Sequence, residues 1–218
     1  AALALADMAS PDATAALRKL AGNTEHPLRV WIAVAIHRVG EAGSEARFKQ
    51  LLADADMKIR RDTADVLSEL PNFDATDLYL VALEDDTAAV RQIARSALQE
   101  HDEPRVVQAL RKSMLQEIDT LIPLLSGNNY RDRNKAVSQI RALGPSVALL
   151  LLERFEAAQQ RARFPLASAI GQLRNPAVIP LVAAQLKRPD LDRSLRSPYE
   201  TILGSQRKDA RDAIDQLV

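Results

Sequence analysis

The sequence contains no cysteine among its 218 residues, which excludes disulfide bonds and metal sites built from thiolates. Its seven glycines form neither the GxGxxG pattern nor the GxxxxGK pattern that cradles phosphate groups. Aromatic residues make up only 4% of the chain, which suits close packing of helices better than sheets. No apolar run approaches the roughly 18 residues of a membrane-spanning helix, so we expect no membrane insertion.

Charge is balanced over the whole chain but not along it. The formal net charge is zero, yet residues 1–109 contain 12 Lys and Arg against 18 Asp and Glu, whereas residues 110–218 contain 17 against 11. In an elongated molecule, charges separated by several Debye lengths of about 10 Å each act independently at 0.1 M salt. A partner would therefore meet an acidic half and a basic half.

One pattern recurs along the chain: an apolar residue, an arginine, and small or apolar residues three, six and seven positions after that arginine. It is clearest at Val90, Arg91, Ala94, Ala97 and Leu98. The arginine returns at intervals of 31, 31, 42, 30 and 33 residues. These motif arginines are Arg29, Arg60, Arg91, Arg133, Arg163 and Arg196. Self-similarity at this period predicts a solenoid of helix pairs.

Proline, glycine and capping residues divide this predicted solenoid, a single domain over residues 1–218, into its repeats. A half-repeat is predicted at 1–22, and full repeats at 27–54, 57–85, 88–115, 130–158, 160–188 and 191–218. The interval of 42 leaves extra residues at 116–129, which we interpret as an extra short helix or an extension of the preceding helix; a hinge there stays open. Because residues 1–6 match only the second half of the pattern, we expect the chain to be a piece of a longer protein.

Two stretches carry a family resemblance. Residues 175–186 (Asn-Pro-Ala-Val-Ile-Pro-Leu-Val-Ala-Ala-Gln-Leu) and residues 103–110, read with the Val-Arg-x-x-Ala motif, resemble HEAT repeats. The similar subtype is the short repeat of about 30 residues found in phycobilin-lyase-like proteins. The resemblance implies an all-α fold, a right-handed α-solenoid of about 6.5 helix pairs. Such a motif specifies a fold far better than a function.

In that family, an aspartate ahead of the first helix of a repeat and the motif arginine form a polar ladder between neighbouring repeats. The resemblance implies a structural ladder from three such pairs: Asp56 and Arg60, Asp86 and Arg91, and Asp192 and Arg196. Arg29, Arg133 and Arg163 lack an aspartate at the matching position, so we expect the ladder to be broken at these three arginines. We interpret the motif arginines as scaffold residues.

The sequence offers few candidates for catalysis. His26, His37 and His101 are not spaced to ligate a metal together, and the His-Glu dipeptides repeated in HEAT-like deoxyhypusine hydroxylases do not occur. No GxSxG nucleophile motif is present. We therefore predict no catalytic residue, no metal site and no cofactor. We interpret the single tryptophan, Trp31, as a residue that packs beneath the first helices.

The leading hypothesis is a non-enzymatic, cytoplasmic scaffold or adaptor that binds a protein or peptide on its concave surface. If the partner has an acidic surface, the candidate contacts are basic residues of the predicted second helices: Arg105, Arg111, Lys112, Arg154, Lys187 and Arg188. One alternative is a lyase or isomerase acting on a protein-bound chromophore, by analogy with the repeat subtype. Another is nucleic-acid binding, which the scarcity of aromatic residues does not favour.

Overall fold

The computed structural model describes residues 2–8 and 10–206, and within them it contains thirteen α-helices and no β-strand. The helices are α1 (Ala2–Asp7), α2 (Pro11–Ala21), α3 (Arg29–Arg38), α4 (Ser44–Leu52), α5 (Met57–Leu67), α6 (Thr76–Ala82), α7 (Ala88–Leu98), α8 (Pro104–Ser126), α9 (Tyr130–Ala142), α10 (Val147–Phe155), α11 (Gln160–Gln172), α12 (Val178–Leu186) and α13 (Arg193–Ser205). None of them combines the length and the apolar character needed to cross a membrane.

The chain divides into two compact units, residues 1–113 and residues 114–218. We call the helices that carry motif arginines first helices, and the helices that follow them second helices. In the first unit, the first helices α3, α5 and α7 stack in chain order with α1 against α3, and the second helices α4 and α6 pack together. In the second unit, α9, α11 and α13 stack in the same way, as do α10 and α12. The predicted all-α arrangement of sequential helix pairs is confirmed.

The helices begin and end where short polar residues and glycines satisfy the backbone. Four N-cap side chains accept a hydrogen bond at 2.8 to 3.1 Å from a backbone N–H two or three residues further on: Ser10, Asp56, Asn129 and Asp192. These bonds satisfy N–H groups that have no partner within the helix. Gly40 and Gly144 follow α3 and α9 with φ of 75° and 89°, a backbone region that glycine enters without steric conflict.

The recurring apolar positions form the core of each unit. Val90, Ala94 and Leu98 of α7 are fully buried in the first unit, as the pattern predicts. Leu28 departs from the pattern, with 45% of its surface exposed, because it lies at the N-cap of α3, ahead of the first helical turn. Trp31 is 40% exposed, so the structure buries it less than we predict.

The extra residues between the third and fourth motif arginines extend the preceding helix. α8 continues through Pro123 to Ser126, and its residues Ile118, Leu121 and Leu125 are buried in the core of the second unit. Of the alternatives that the sequence leaves open, the structure therefore shows the extension. One continuous solenoid over residues 1–218 stays a prediction, and the helix expected at 205–218 lies almost entirely outside the described residues.

Candidate functional site

Arg29 and Arg60, two motif arginines of the first unit, each bind the loop that leads into the next first helix. The guanidinium of Arg29 donates to both carboxylate oxygens of Asp54, with Nε 2.8 Å from Oδ2 and Nη2 3.1 Å from Oδ1. Arg60 repeats the arrangement with Asp85, at 2.7 and 3.2 Å. A two-pronged arginine–carboxylate contact fixes orientation as well as distance. The spacing of the two repeats is thereby tied to the geometry of one side-chain pair.

Each motif arginine of the first unit also donates to a backbone carbonyl group in the loop ahead of its own helix. Arg60 reaches the carbonyl oxygen of Asp54 at 3.0 Å, and Arg91 reaches the carbonyl oxygens of Asp85 and Asp86 at 2.9 and 3.0 Å. These carbonyl groups lie in the loop that precedes each first helix, where no helical N–H can satisfy them. The arginines therefore hold the loops as well as the repeat junctions, which supports their interpretation as scaffold residues.

The aspartates that complete the ladder differ from those implied by the family resemblance. Asp54 and Asp85 receive the bidentate contacts, whereas Asp56 caps the N-terminus of α5. Asp86 makes one additional contact, with Arg60 of the preceding repeat. The sequence does not indicate which of two nearby aspartates pairs with the arginine. That depends on where each aspartate lies relative to the neighbouring helix.

The expectation of a broken ladder is wrong at Arg29, which pairs with Asp54, and at Arg163. Arg163 donates to the hydroxyl oxygen of Ser194 at 2.6 Å, and Asp192 lies 3.7 Å away. A hydroxyl group thus replaces the bidentate carboxylate. Arg133 donates to the carbonyl oxygen of Gly127 at 3.4 Å and has no carboxylate partner within the described residues.

The Arg29–Asp54 pair makes stability depend on pH in the acidic range. The guanidinium of Arg29 holds the pKa of the Asp54 carboxyl below its ordinary value, and the partial burial of this carboxyl opposes the effect. A lowered pKa in the folded state stabilises the protein above the unfolded-state pKa of about 4, and this stabilisation disappears as the pH falls through the folded-state pKa.

We expect Asp54→Asn to be less stable than the parent at neutral pH and to lose less of its stability between about pH 5 and pH 2, since this contribution is absent. Urea unfolding midpoints measured across that range test the difference. The exposed Asp102, replaced by Asn, is the matched control and is expected to follow the parent curve. Parallel curves for the parent and Asp54→Asn would contradict the role of this pair.

Four of the six predicted partner contacts are already paired inside the protein. Each bonds to a carboxylate at or just after the preceding second helix: Arg105 to Asp77 at 2.6 Å, Lys112 to Glu84 at 2.8 Å, Arg154 to Asp119 at 2.9 Å, and Arg188 to Glu156 at 3.4 Å. These pairs are solvent-exposed and contribute little to stability. They do neutralise the basic surface locally, so an acidic partner would have to displace existing carboxylates.

The two remaining predicted contacts differ from each other. Arg111 takes part in an interaction within the protein. Lys187, which follows α12, is exposed and forms no ion pair within the described residues. The ion pairs of the second helices span 28 to 35 residues, so sequence reasoning could have found them only from the register of neighbouring repeats.

The described part of the chain contains no group of three His, Asp or Glu side chains positioned to hold a metal ion. The ring of His37 packs edge-on against Phe73, with ring centroids 4.9 Å apart. Nδ1 of His26 accepts a hydrogen bond from the backbone N–H of Leu28 at 3.0 Å. Both rings are therefore engaged in local packing or turn structure.

Tyr199 of α13 is a buried tyrosine whose hydroxyl faces a carboxylate. Burial raises the pKa of its hydroxyl, and the neighbouring Glu156 carboxylate raises that pKa further. The hydroxyl donates to Oε1 of Glu156 at 2.7 Å, and Arg188 contacts the same oxygen. The tyrosine is thus held neutral as a hydrogen-bond donor that ties α13 to the end of α10.

A partly enclosed cavity in the first unit is small. It has a volume of about 110 Å³ and lies beside the Arg29–Asp54 pair, with Arg47 and Leu20 in its wall. Pockets for small-molecule ligands have volumes of about 300–1,000 Å³. This cavity is therefore too small for a chromophore, and Tyr199 does not line it.

A larger open groove lies between α5 and α7 in the first unit. Its volume is about 550 Å³. Its apolar lining is Ala89, Ile93 and Ala97 of α7, with Tyr79 beneath, and its polar lining is Arg61, Asp65, Ser68, Gln92 and Ser96. Tyr79 is buried and donates to the carbonyl oxygen of Ala64 at 3.2 Å, so it belongs to the groove floor rather than to a reactive site.

Most polar side chains of this groove have no partner within the described residues. Arg61 and Asp65 of α5 form no ion pair, and Gln92 and Ser96 of α7 form no side-chain hydrogen bond there. From the sequence, these residues are only polar positions on the exposed face of each helix. The stacking of α5 on α7 places them on opposite sides of one groove.

Comparison with known proteins finds matches among solved structures. No family model matches the chain, and no curated protein matches it. Among solved structures, the chain is similar to human deoxyhypusine hydroxylase in complex with glycerol, with 18% identity, a TM-score of 0.33, and coverage of 97% of this chain and 91% of that chain. Values this low carry no argument about activity or binding. The helix-pair architecture therefore rests on the helices, caps and arginine contacts described above.

Proposed function

We propose that this chain is a non-enzymatic helical-repeat module that binds a peptide segment of a partner protein in the groove between α5 and α7. The observation that carries the proposal is the composition of that groove. It combines an apolar floor with four charged or polar side chains, those of Arg61, Asp65, Gln92 and Ser96, that have no partner within the described residues. Binding sites of this kind bury apolar area and use a few polar groups to fix orientation.

Each side of the groove offers a different contact to a peptide. Ile93 and Ala97 present apolar surface to a side chain of the bound segment. The carboxamide of Gln92 can both donate and accept a hydrogen bond, which matches the alternating N–H and C=O groups of a peptide backbone. Arg61 and Asp65 lie one helical turn apart on α5 and provide one charge of each sign, so they favour a partner segment with complementary charges.

The strongly engaged titratable groups support a role without catalysis. Asp54 and Asp85 lie in the arginine ladder, and Tyr199 donates to Glu156. Such arrangements are typical of a scaffold, in which structural ion pairs and burial shift the pKa values of side chains. None of these groups lines the groove between α5 and α7.

The second-helix surface is the weaker candidate for the binding site. Arg105, Lys112, Arg154 and Arg188 already face carboxylates of the preceding repeats. A partner contacting these cations gains little, because each new ion pair replaces an existing one. In the groove, by contrast, Arg61 and Asp65 have no ion pair within the described residues for a partner to displace.

Blocking the groove is expected to weaken partner binding by at least about tenfold, a free-energy change of about 1.4 kcal/mol. Ser96→Trp places an indole in the groove from an exposed position on α7, where it costs the fold little. The partner would first be captured from an extract of the native host on immobilised protein. Its Kd for the parent and the variant would then be compared by calorimetry.

Ser138→Trp is the matched control for this experiment. Ser138 lies five residues after motif arginine Arg133, as Ser96 lies five residues after Arg91, and it too is exposed. We expect the parent affinity for this variant. Equal affinity for the parent and Ser96→Trp, or equal loss in both variants, would contradict binding in the groove between α5 and α7.

A further inference from the structure

A second groove opens at the C-terminal ends of the first helices in the second unit. Its volume is about 520 Å³, and it is lined by Arg141, Gly171, Gln172, Arg174, Gly204 and Ser205. Arg141 and Arg174 are the only charged residues of this lining. It shares no residue with the groove between α5 and α7.

The guanidinium groups of Arg141 and Arg174 form no hydrogen bond and no ion pair within the described residues. This sets them apart from Arg154, Arg163 and Arg188 of the same unit, which all bond to side-chain oxygens. Both unpaired arginines line the same groove. Together they concentrate positive charge where no described carboxylate balances it.

Arg174 has a backbone conformation in which glycine would be the more stable residue. It lies eleven residues after motif arginine Arg163, and the residues eleven after Arg29 and Arg133 are Gly40 and Gly144. All three have positive φ: 50° at Arg174, 75° at Gly40 and 89° at Gly144. Residues other than glycine adopt this region at a cost in free energy, so an arginine here lowers stability relative to glycine.

We propose that the groove lined by Arg141 and Arg174 binds an acidic peptide segment of a partner protein, whose carboxylate or phosphate oxygens the two guanidinium groups receive. Guanidinium groups match such oxyanions in geometry as well as charge. The carboxamide of Gln172 lies in the same lining and contacts Ser168 through its nitrogen, which leaves its oxygen available to a peptide N–H.

The test uses fluorescein-labelled octaglutamate, an octapeptide with two phosphoserines, and octaglutamine as the neutral comparison, each titrated with the 218-residue protein and followed by fluorescence anisotropy. We expect the acidic peptides to bind more tightly than octaglutamine, and their affinity to fall as salt is added. Arg141→Glu is expected to weaken this binding by about tenfold or more. The acidic peptide whose binding is weakened by Arg141→Glu shows whether the oxyanion is a carboxylate or a phosphate.

Arg161→Glu is the matched control, because Arg161 is exposed on α11 but does not line the groove. Arg174→Gly separates function from stability: it is expected to raise Tm by about 2 °C while it weakens binding of the acidic peptide. Equal weakening by Arg161→Glu would show a general effect of basic charge and overturn the proposal. Acidic peptides binding no more tightly than octaglutamine would also overturn it.

Discussion

Truncation of Leu98 to alanine is expected to lower the free energy of unfolding by about 2–5 kcal/mol. Leu98 ends the first helix α7 and is fully buried in the core of the first unit, together with Val90 and Ala94. The truncation removes apolar contacts and leaves a cavity that the neighbouring helices α5 and α6 cannot easily fill. Urea unfolding, with the midpoint and slope fitted separately, measures the loss.

Arg91→Ala, on the same helix, is expected to cost less than Leu98→Ala. Arg91 holds the backbone carbonyl groups of Asp85 and Asp86, and a single hydrogen bond contributes about 0.5–1.5 kcal/mol. These carbonyl groups belong to a surface loop, so water can replace part of the interaction once the guanidinium is gone. If Arg91→Ala were the more destabilising variant, the predicted alignment of the repeats would be wrong.

Gly171→Ala is the second substitution with a large expected effect, a destabilisation of about 1–3 kcal/mol. A Cβ atom at Gly171 would lie 2.4 Å from Cβ and 2.6 Å from Oγ of Ser205. Cβ of Ser205 is fixed to the backbone of α13, so the two helices must move apart to relieve the contact. Alanine favours a helix over glycine by about 1 kcal/mol, which is too little to offset that movement. Thermal and urea unfolding of the variant measure the net effect.

Gly204→Ala is the matched control, because Gly204 lies in α13 and an added Cβ there meets no atom within 4 Å. We expect Gly204→Ala to stabilise the protein by about 0.5–1 kcal/mol through helix propensity. Combining Gly171→Ala with Ser205→Gly, which removes the opposing atoms, is expected to recover part of the loss. Stabilisation by both alanine variants would contradict the close approach of α11 and α13.

The sequence predicts the helix-pair architecture well because the periodic apolar residues and the caps act locally. The motif residues Val90, Ala94 and Leu98 are buried together, and Ser10 caps the helix that Pro11 begins. Such features depend on spacing along one helix and on one or two flanking residues. Leu28 is exposed although it occupies a core position of the same pattern, because α3 begins one residue later, at Arg29, and leaves Leu28 outside the first helical turn.

Contacts between repeats could not be predicted in the same way. Asp54 and Asp56 are both short acids ahead of α5, yet only Asp54 faces Arg29, 25 residues away. The pairing of Lys112 with Glu84 likewise depends on how far one second helix is displaced along its neighbour. Sequence spacing gives the order of the repeats but not this displacement.

The candidate binding sites were beyond sequence reasoning for a related reason. Counting basic residues predicts a positive surface on the second helices, but it ignores the carboxylates that each cation meets after folding. Arg141 and Arg174 carry the same charge as Arg154, and only the structure shows which of them are unpaired. The sequence does show that Arg174 occupies the repeat position held by Gly40 and Gly144, and the structure adds that all three have positive φ.

The central functional claim is that a partner occupies the groove between α5 and α7 rather than the second-helix surface. Amide hydrogen exchange, measured by mass spectrometry with and without the captured partner, tests it most directly. We expect slower exchange in peptides covering α5 and α7, which line the groove, and unchanged exchange over the exposed residues of α10 and α12. Protection confined to α10 and α12, with none in α5 and α7, would contradict it.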